Sequence, residues 1–346
     1  MTQPSPTPIE APVRPGLHPR WLSDAAILKR KQKAPPTDLA QLQALRDRRA
    51  AMQVYADGGN PFRDTIDPSQ PLRGPMHWKL AQTLVWDLDA LTNADPLVDR
   101  LEAWLPDLAQ GLWSGYWRWQ IEWQLQCLPK ATGPVWLHDA ADLLGKCLYA
   151  GWLTEARVVA GAIRQMYAER KLTNTEGKES QPLSHFLLRI AFDHFELPFA
   201  HWGRGRHPTL DAKNPSKKGQ CLGEPVLNAL FDHWRNPDLT PWTEHLLWLC
   251  DYATHRVKSN MEYEYNPYGA RFAGVVLPWM RLREAQDLSA PIIDHPLVAA
   301  PYDRLPAPLP KPEDPLLDAV LERLTREELP ALRAAGRGLH PPADAG

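Results

Sequence analysis

Residues 137–166 read LHDAADLLGKCLYAGWLTEARVVAGAIRQM, and their apolar spacing decides the fold class. Leu137, Ala140, Leu144, Cys147 and Leu148 recur mostly at steps of three and four, which lines one face of an α-helix. Beyond Gly151, Leu153, Ala156, Val159, Ala160, Ile163 and Met166 repeat the pattern. Gly133-Pro134 opens the stretch, and small residues between the bulky ones let two antiparallel helices pack closely. The expectation is a helical hairpin.

Working back towards the N-terminus, residues 112–128 hold Trp113, Tyr116, Trp117, Trp119 and Trp123. Such density invites a ligand platform for a sugar or a base stack. Trp113, Tyr116, Trp117, Ile121 and Leu125 nevertheless recur at helical spacing, which favours a buried helix. A separate helix is expected from Asp95-Pro96 to about Gln110-Gly111. Another starts near Pro75 and uses Trp78, Leu80, Leu84, Val85, Leu88 and Leu91. A further one runs from a cap at Thr37 or Asp38 to about Tyr55, with Leu39, Leu42 and Leu45 inward and Arg46, Arg48 and Arg49 as solvated surface. Asp57-Gly58-Gly59-Asn60-Pro61 stops it. Residues 1–36 carry eight prolines and read as extended or disordered, with Trp21, Leu22, Ile27 and Leu28 as a docking patch.

Towards the C-terminus, the polar residues 173–181 form a loop. Residues 187–195 (LLRIAFDHF) are echoed by 226–234 (VLNALFDHW) and more faintly by 246–252 (LLWLCDY). The unequal spacing of these copies argues for repeated helix design rather than a repeat array. Between the first two copies, residues 203–219 hold Arg204, Arg206, His207, Lys213, Lys217 and Lys218 against Asp211 alone. Such a basic loop can grip phosphate or an acidic partner, but the lack of interleaved aromatics favours a solvated one. Phe272, Val275, Val276, Trp279, Met280 and Leu282 suit a helix that Pro278 either kinks or restarts. A last helix is expected over 315–335. Strand-like alternation is confined to 261–265.

Composition fits a globular chain, with 44% apolar and 23% charged residues, and a net charge of −2 gives no ground for nucleic-acid or membrane binding. Cys127, Cys147, Cys221 and Cys250 lack metal-ligand spacing and read as buried thiols of a reducing compartment. No stretch approaches the ~20 apolar residues of a membrane span, and the first residues lack a signal pattern, so the cytoplasm is expected. There is no HExxH, P-loop, GxGxxG after a strand, or GxSxG. His185, His194 and His201 do not share a helix face, and neither Asp193-His194 nor Asp232-His233 makes a dyad, because helix neighbours diverge. No catalytic residue, metal or cofactor is assigned.

Residues 261–306 carry a resemblance. The apolar, aromatic-led helix at 272–282 is followed by Asp287-Leu288, by Asp294-His295-Pro296 and by Pro301-Tyr302-Asp303. This order resembles the C-terminal domain of immunity proteins that protect bacteria from their own polymorphic secreted toxins, including the type VI nuclease effectors. The resemblance covers the last third of the chain. It implies an all-helical protein without enzymatic activity that binds and neutralises a cognate toxin.

Between residues 222 and 301 there are ten acids against six bases, an excess suited to a basic partner. Beside those acids stand aromatic anchors, so the expected toxin-binding surface comprises Asp232, Trp234, Asp251, Glu262, Tyr263, Glu264, Tyr265 and Asp294. Two other classes stay open, an α/α-toroid enzyme acting on a carbohydrate or lipid and a helical scaffold. The expected fold is an all-α multi-helix bundle with proline-rich extended termini. Its parts are a proline-rich segment at 1–36, helical lobes at 37–172 and 183–305, and a linker with a terminal helix at 306–346.

Overall fold

The computed structural model describes residues 10–33, 39–62, 74–86, 101–126, 135–169, 171–173, 181–198, 225–255, 271–272, 274–300 and 302–327. Among them are eleven α-helices and two two-residue strands, Val135–Trp136 and Leu172–Thr173, that pair with each other. The protein is all-α, as its periodicity predicts. In chain order the helices are α1 (Asp24–Lys33), α2 (Leu39–Ala56), α3 (Gly74–Trp86), α4 (Leu101–Leu125), α5 (Leu137–Tyr149) and α6 (Leu153–Ala168). They continue with α7 (Gln181–His194), α8 (Pro225–Asp232), α9 (Thr243–Thr254), α10 (Val276–Glu284) and α11 (Pro315–Arg326).

Contacts divide the chain into two units, one of Met1–Leu28 with Trp136–Ala307 and one of Lys29–Val135 with Pro308–Gly346. This division differs from the expected break between 172 and 183. The reason lies in α5, whose buried residues Leu137, Ala140, Ala141, Leu143, Leu144, Cys147 and Leu148 wrap most of its circumference. One side takes α6, and the remainder takes α7 and α10, so the hairpin joins the later helices. The hairpin itself forms as expected. Trp152 N donates to Cys147 O at 2.9 Å and Gly151 N to Leu148 O at 3.0 Å, with Gly151 at φ 77° closing α5 in a Schellman turn. At Gly145 a Cβ would lie 2.9 Å from the Gly274 carbonyl oxygen, so the turn before α10 passes directly over α5.

Pro278 restarts nothing at a cost. Counting Val276 as the first helical residue, it is the third residue of α10, where the missing N–H has no intrahelical partner to lose. The first such bond, Trp279 N to Val275 O at 3.1 Å, comes one residue later.

In the second unit α3 packs on α4, and α11 packs on α2 and α3. Instead of two helices meeting at Gln110-Gly111, α4 runs unbroken for 25 residues. Ala109, Leu112, Tyr116 and Trp119 keep one buried stripe across Gly111, and that burial outweighs the ~1 kcal/mol a helical glycine costs. Trp117, Ile121 and Leu125 are buried too, while Trp113 and Trp123 are half-buried, so most of the aromatic run is core. Arg48 and Arg49 are not plain solvated surface. Arg48 donates to Thr83 O at 3.1 Å, and Arg49 to Asp314 Oδ2 at 2.6 Å. Buried Arg323 donates to the Gly59 carbonyl at 2.8 Å and to that of Tyr55, securing α11 to the end of α2.

Leu88, Leu91, the basic loop 203–219, Cys127, Cys221 and residues 328–346 lie outside the described residues. No described helix is long and apolar enough to cross a membrane.

Candidate docking site

α7, α8 and α9 carry the three echoed segments, and their corresponding aspartates have three different fates. Asp193 accepts the Trp234 indole N–H at 2.8 Å and pairs with Arg235 at 3.0 Å. Asp232 is exposed at the end of α8. Asp251, in the last turn of α9, is 1% exposed.

Asp251 holds two distant segments at once. Arg14 Nε donates to its Oδ2 at 2.8 Å, and His295 Nε2 donates to its Oδ1 at 2.9 Å. The other imidazole nitrogen, Nδ1, accepts the Leu297 backbone N–H at 3.0 Å, which fixes His295 as the neutral Nε2–H tautomer. Burial lowers the His295 pKa, against the opposing pull of Asp251. Burial pushes Asp251 the other way, but the hydrogen bonds from Arg14 and His295 prevail and hold it below the usual carboxylate range. Both ring nitrogens of His295 are therefore spent on structure, and the imidazole has no lone pair left for base chemistry. Cys250 beside it is buried, and its thiol is pushed up to about 12, which makes it inert.

Arg271 reinforces this arrangement. It is 1% exposed, donates to Asp24 Oδ1 at 2.9 Å and Leu297 O at 2.6 Å, and lies 5.0 Å from the Tyr302 ring centre. Residues 10–23, expected to be extended or disordered, follow an irregular path held in place by these contacts, whereas residues 24–33 of the same expected segment form helix α1, with Ile27 from the expected docking patch buried.

From this hub the chain presents a loop pinned at both ends. At its start α10 closes with Leu288 N on Arg283 O at 3.0 Å and Asp287 N on Glu284 O at 2.9 Å, with Asp287 at φ 56°. Fully buried Arg283 clamps the same end, donating to Ser289 O through Nε at 3.1 Å and Nη2 at 3.0 Å and to Asn236 O at 2.9 Å. At the far end stands His295. Between these anchors Asp294 is exposed and Ile292 is 97% exposed. From Glu284 to Asp303 there are four acids and no lysine or arginine.

The expected surface residues therefore separate. Asp232 and Asp294 are exposed. Trp234 and Asp251 are not on the surface; they are buried and act from beneath it, because their polar atoms are bonded inside the unit. Glu262, Tyr263, Glu264 and Tyr265 lie outside the described residues. Sequence reasoning missed Arg14, Arg283, His295 and Ile292. A signal existed for two of them. His295-Pro296 has the form of a cap followed by proline, and Ile292 stands between turn residues with no helical period to bury it.

His185 is buried, with Nε2 3.4 Å from the Tyr167 hydroxyl, and His194 Nδ1 lies 3.1 Å from Gln286 Nε2. His201 lies outside the described residues, among which no group of three His, Cys, Asp or Glu is placed to hold a metal ion. Comparison of the chain with protein-family models, curated proteins and solved structures finds no match.

Proposed function

We propose that this protein is an immunity protein that binds and neutralises a secreted bacterial toxin, with the pinned loop between Arg283 and His295 at the centre of the contact. The observation that carries it is Ile292, 97% exposed on a loop anchored at both ends by buried side chains. An apolar anchor held in place before binding loses little entropy on association, and tight interfaces concentrate their energy in such residues. The surrounding acids, Asp287 and Asp294 with no basic residue before Arg304, suit a basic partner such as a nuclease and would speed its approach. Exposed Asp232 belongs to the same acid excess, as do Glu262 and Glu264 in sequence. The resemblance of residues 261–306 to toxin-immunity proteins supports this reading, as does the all-helical build.

The test is protection of cells against a toxin, with the product of the gene neighbouring this one as the candidate to express. Wild type should protect, and an Ile292→Asp, Asp294→Lys double variant should lose protection while its melting curve stays unchanged, since both side chains are in solvent. A normally folded double variant that protects fully would remove this loop from the contact.

A further inference from the structure

Residues 10–23 follow an irregular path over the end of α9, and none of them is buried. The groups beneath them are the reverse. Asp251 is 1% exposed, Thr254 0% and Arg271 1%. Among the contacts that set the register, four run in order along the segment. Arg14 reaches Asp251 at 2.8 Å, and His255 Nε2 donates to the Gly16 carbonyl at 3.0 Å. The His18 backbone N–H donates to Thr254 Oγ1 at 2.9 Å, and the Trp21 ring centre lies 5.7 Å from the Arg271 guanidinium carbon.

Two of these contacts read backbone and two read side chains, which is how a site recognises an extended peptide. In terms of sequence it takes an arginine, then two residues later one that tolerates the φ of 72° found at Gly16. Two residues further it takes a free N–H, and three beyond that an aromatic ring.

The asymmetry of burial decides what this arrangement is. The occupant commits no buried side chain before Ile27, and its arginine remains 36% exposed. A cation that stays partly in water is released more readily than a buried one, because solvent screens and rehydrates it. The carboxylate beneath is buried and needs a cation, whichever chain supplies it. We infer that the surface formed by Asp251, Thr254 and His255 at the end of α9, with Arg271, is a binding site for arginine-bearing extended peptides, with residues 12–21 as its resident and exchangeable occupant. A matching segment of a partner protein enters by replacing them. This inference is independent of the toxin reading, which concerns the loop carrying Ile292.

The probe is a fluorescently labelled synthetic peptide of residues 10–23, titrated against the full chain and read by anisotropy. In wild type the tethered segment competes at an effective concentration on the order of mM. An Arg14→Ala chain, whose own segment is weakened, should therefore bind the peptide at least tenfold more tightly than wild type does. Peptide carrying the same substitution should lose at least tenfold in affinity, and an Asp251→Asn chain should bind neither. Saturable binding that follows this order supports the site. A folded Arg14→Ala chain that fails to bind would show residues 12–21 to be a permanent tie and overturn it. Should that variant not fold, wild type with peptide at several mM serves instead, read by hydrogen exchange of residues 10–20. Faster exchange there supports displacement, and unchanged exchange overturns it. Either result leaves the cell-protection assay of the Ile292 loop unaffected.

Discussion

Asp251 and Asp314 are buried carboxylates, one in each unit, at 1% and 3% exposure. Each pairs with an arginine that stays partly in solvent, Arg14 at 2.8 Å and Arg49 at 2.6 Å. Their helices treat them differently. Asp314 caps α11, its Oδ1 accepting the Leu317 N–H at 3.1 Å, where free amides and the helix dipole favour a negative charge. Asp251 lies in the last turn of α9, where the helix carbonyls oppose it. It stays charged because Arg14 and His295 both donate to it. Asp314 has a local donor in Leu317 besides its distant arginine, whereas both side-chain donors to Asp251 come from far away, 237 and 44 positions off.

The largest expected effect separates the two sites. Asp251→Ala leaves a buried imidazole N–H without its acceptor and frees residues 10–23, at a cost of about 3–5 kcal/mol in urea unfolding. Asp314→Ala removes a cap and lets Arg49 return to water, at about 1–2 kcal/mol. Equal losses, or a larger one at Asp314, would break the comparison.

Acid sharpens it. Folding depresses the pKa of both Asp251 and His295. A depressed group contributes stability that is complete above its unfolded pKa and is lost as pH falls through the folded one. For His295 the loss starts below about 6.5, and for Asp251 only below about 3.9. Thermal melts should therefore decline as pH falls below about 6.5. His295→Asn retains an acceptor that can cap Leu297 but no longer titrates, so it should lower the melting temperature at pH 7.5 and flatten that decline. His18, His194 and His245, also depressed mainly by burial, leave a residual slope of the same sign.

The smallest effect concerns a third helix-end aspartate. Asp287 closes α10 at φ 56°, a conformation that glycine adopts freely, as Gly58 (φ 97°) and Gly151 do at the ends of α2 and α5. Asp287→Gly should stabilise the protein by about 0.5–1 kcal/mol, less the backbone entropy glycine brings to the unfolded chain. A destabilised variant would show that the Asp287 side chain has a role of its own.

The same contrast explains what could be read from the sequence. The α5–α6 hairpin and the aromatic face of α4 were legible because burial imposes a three-to-four period within one helix. The start of α11 at Pro315 was legible as well, since proline suits the first turn of a helix. The division into units was not, because nothing in the α5 stripe says which helices cover its second side. Nor was the docking site. Arg14 and Asp251 are ordinary charged residues until the fold joins them, and nothing local distinguishes buried Asp251 from exposed Asp232 in the echoed segments. Arg49 was misplaced for the same reason, its partner lying 265 residues away.

The pairing of Arg14 with Asp251 also sets a timetable. A ribosome finishes residues 10–23 long before it reaches α9, 237 positions beyond Arg14. At ~5–20 residues per second the interval is on the order of tens of seconds. For that period the proline-rich segment has no seat, and α9 meets it only after most of the chain has emerged. Residues 10–23 are thus made well before they are placed, and their docking marks completion of the Asp251 site.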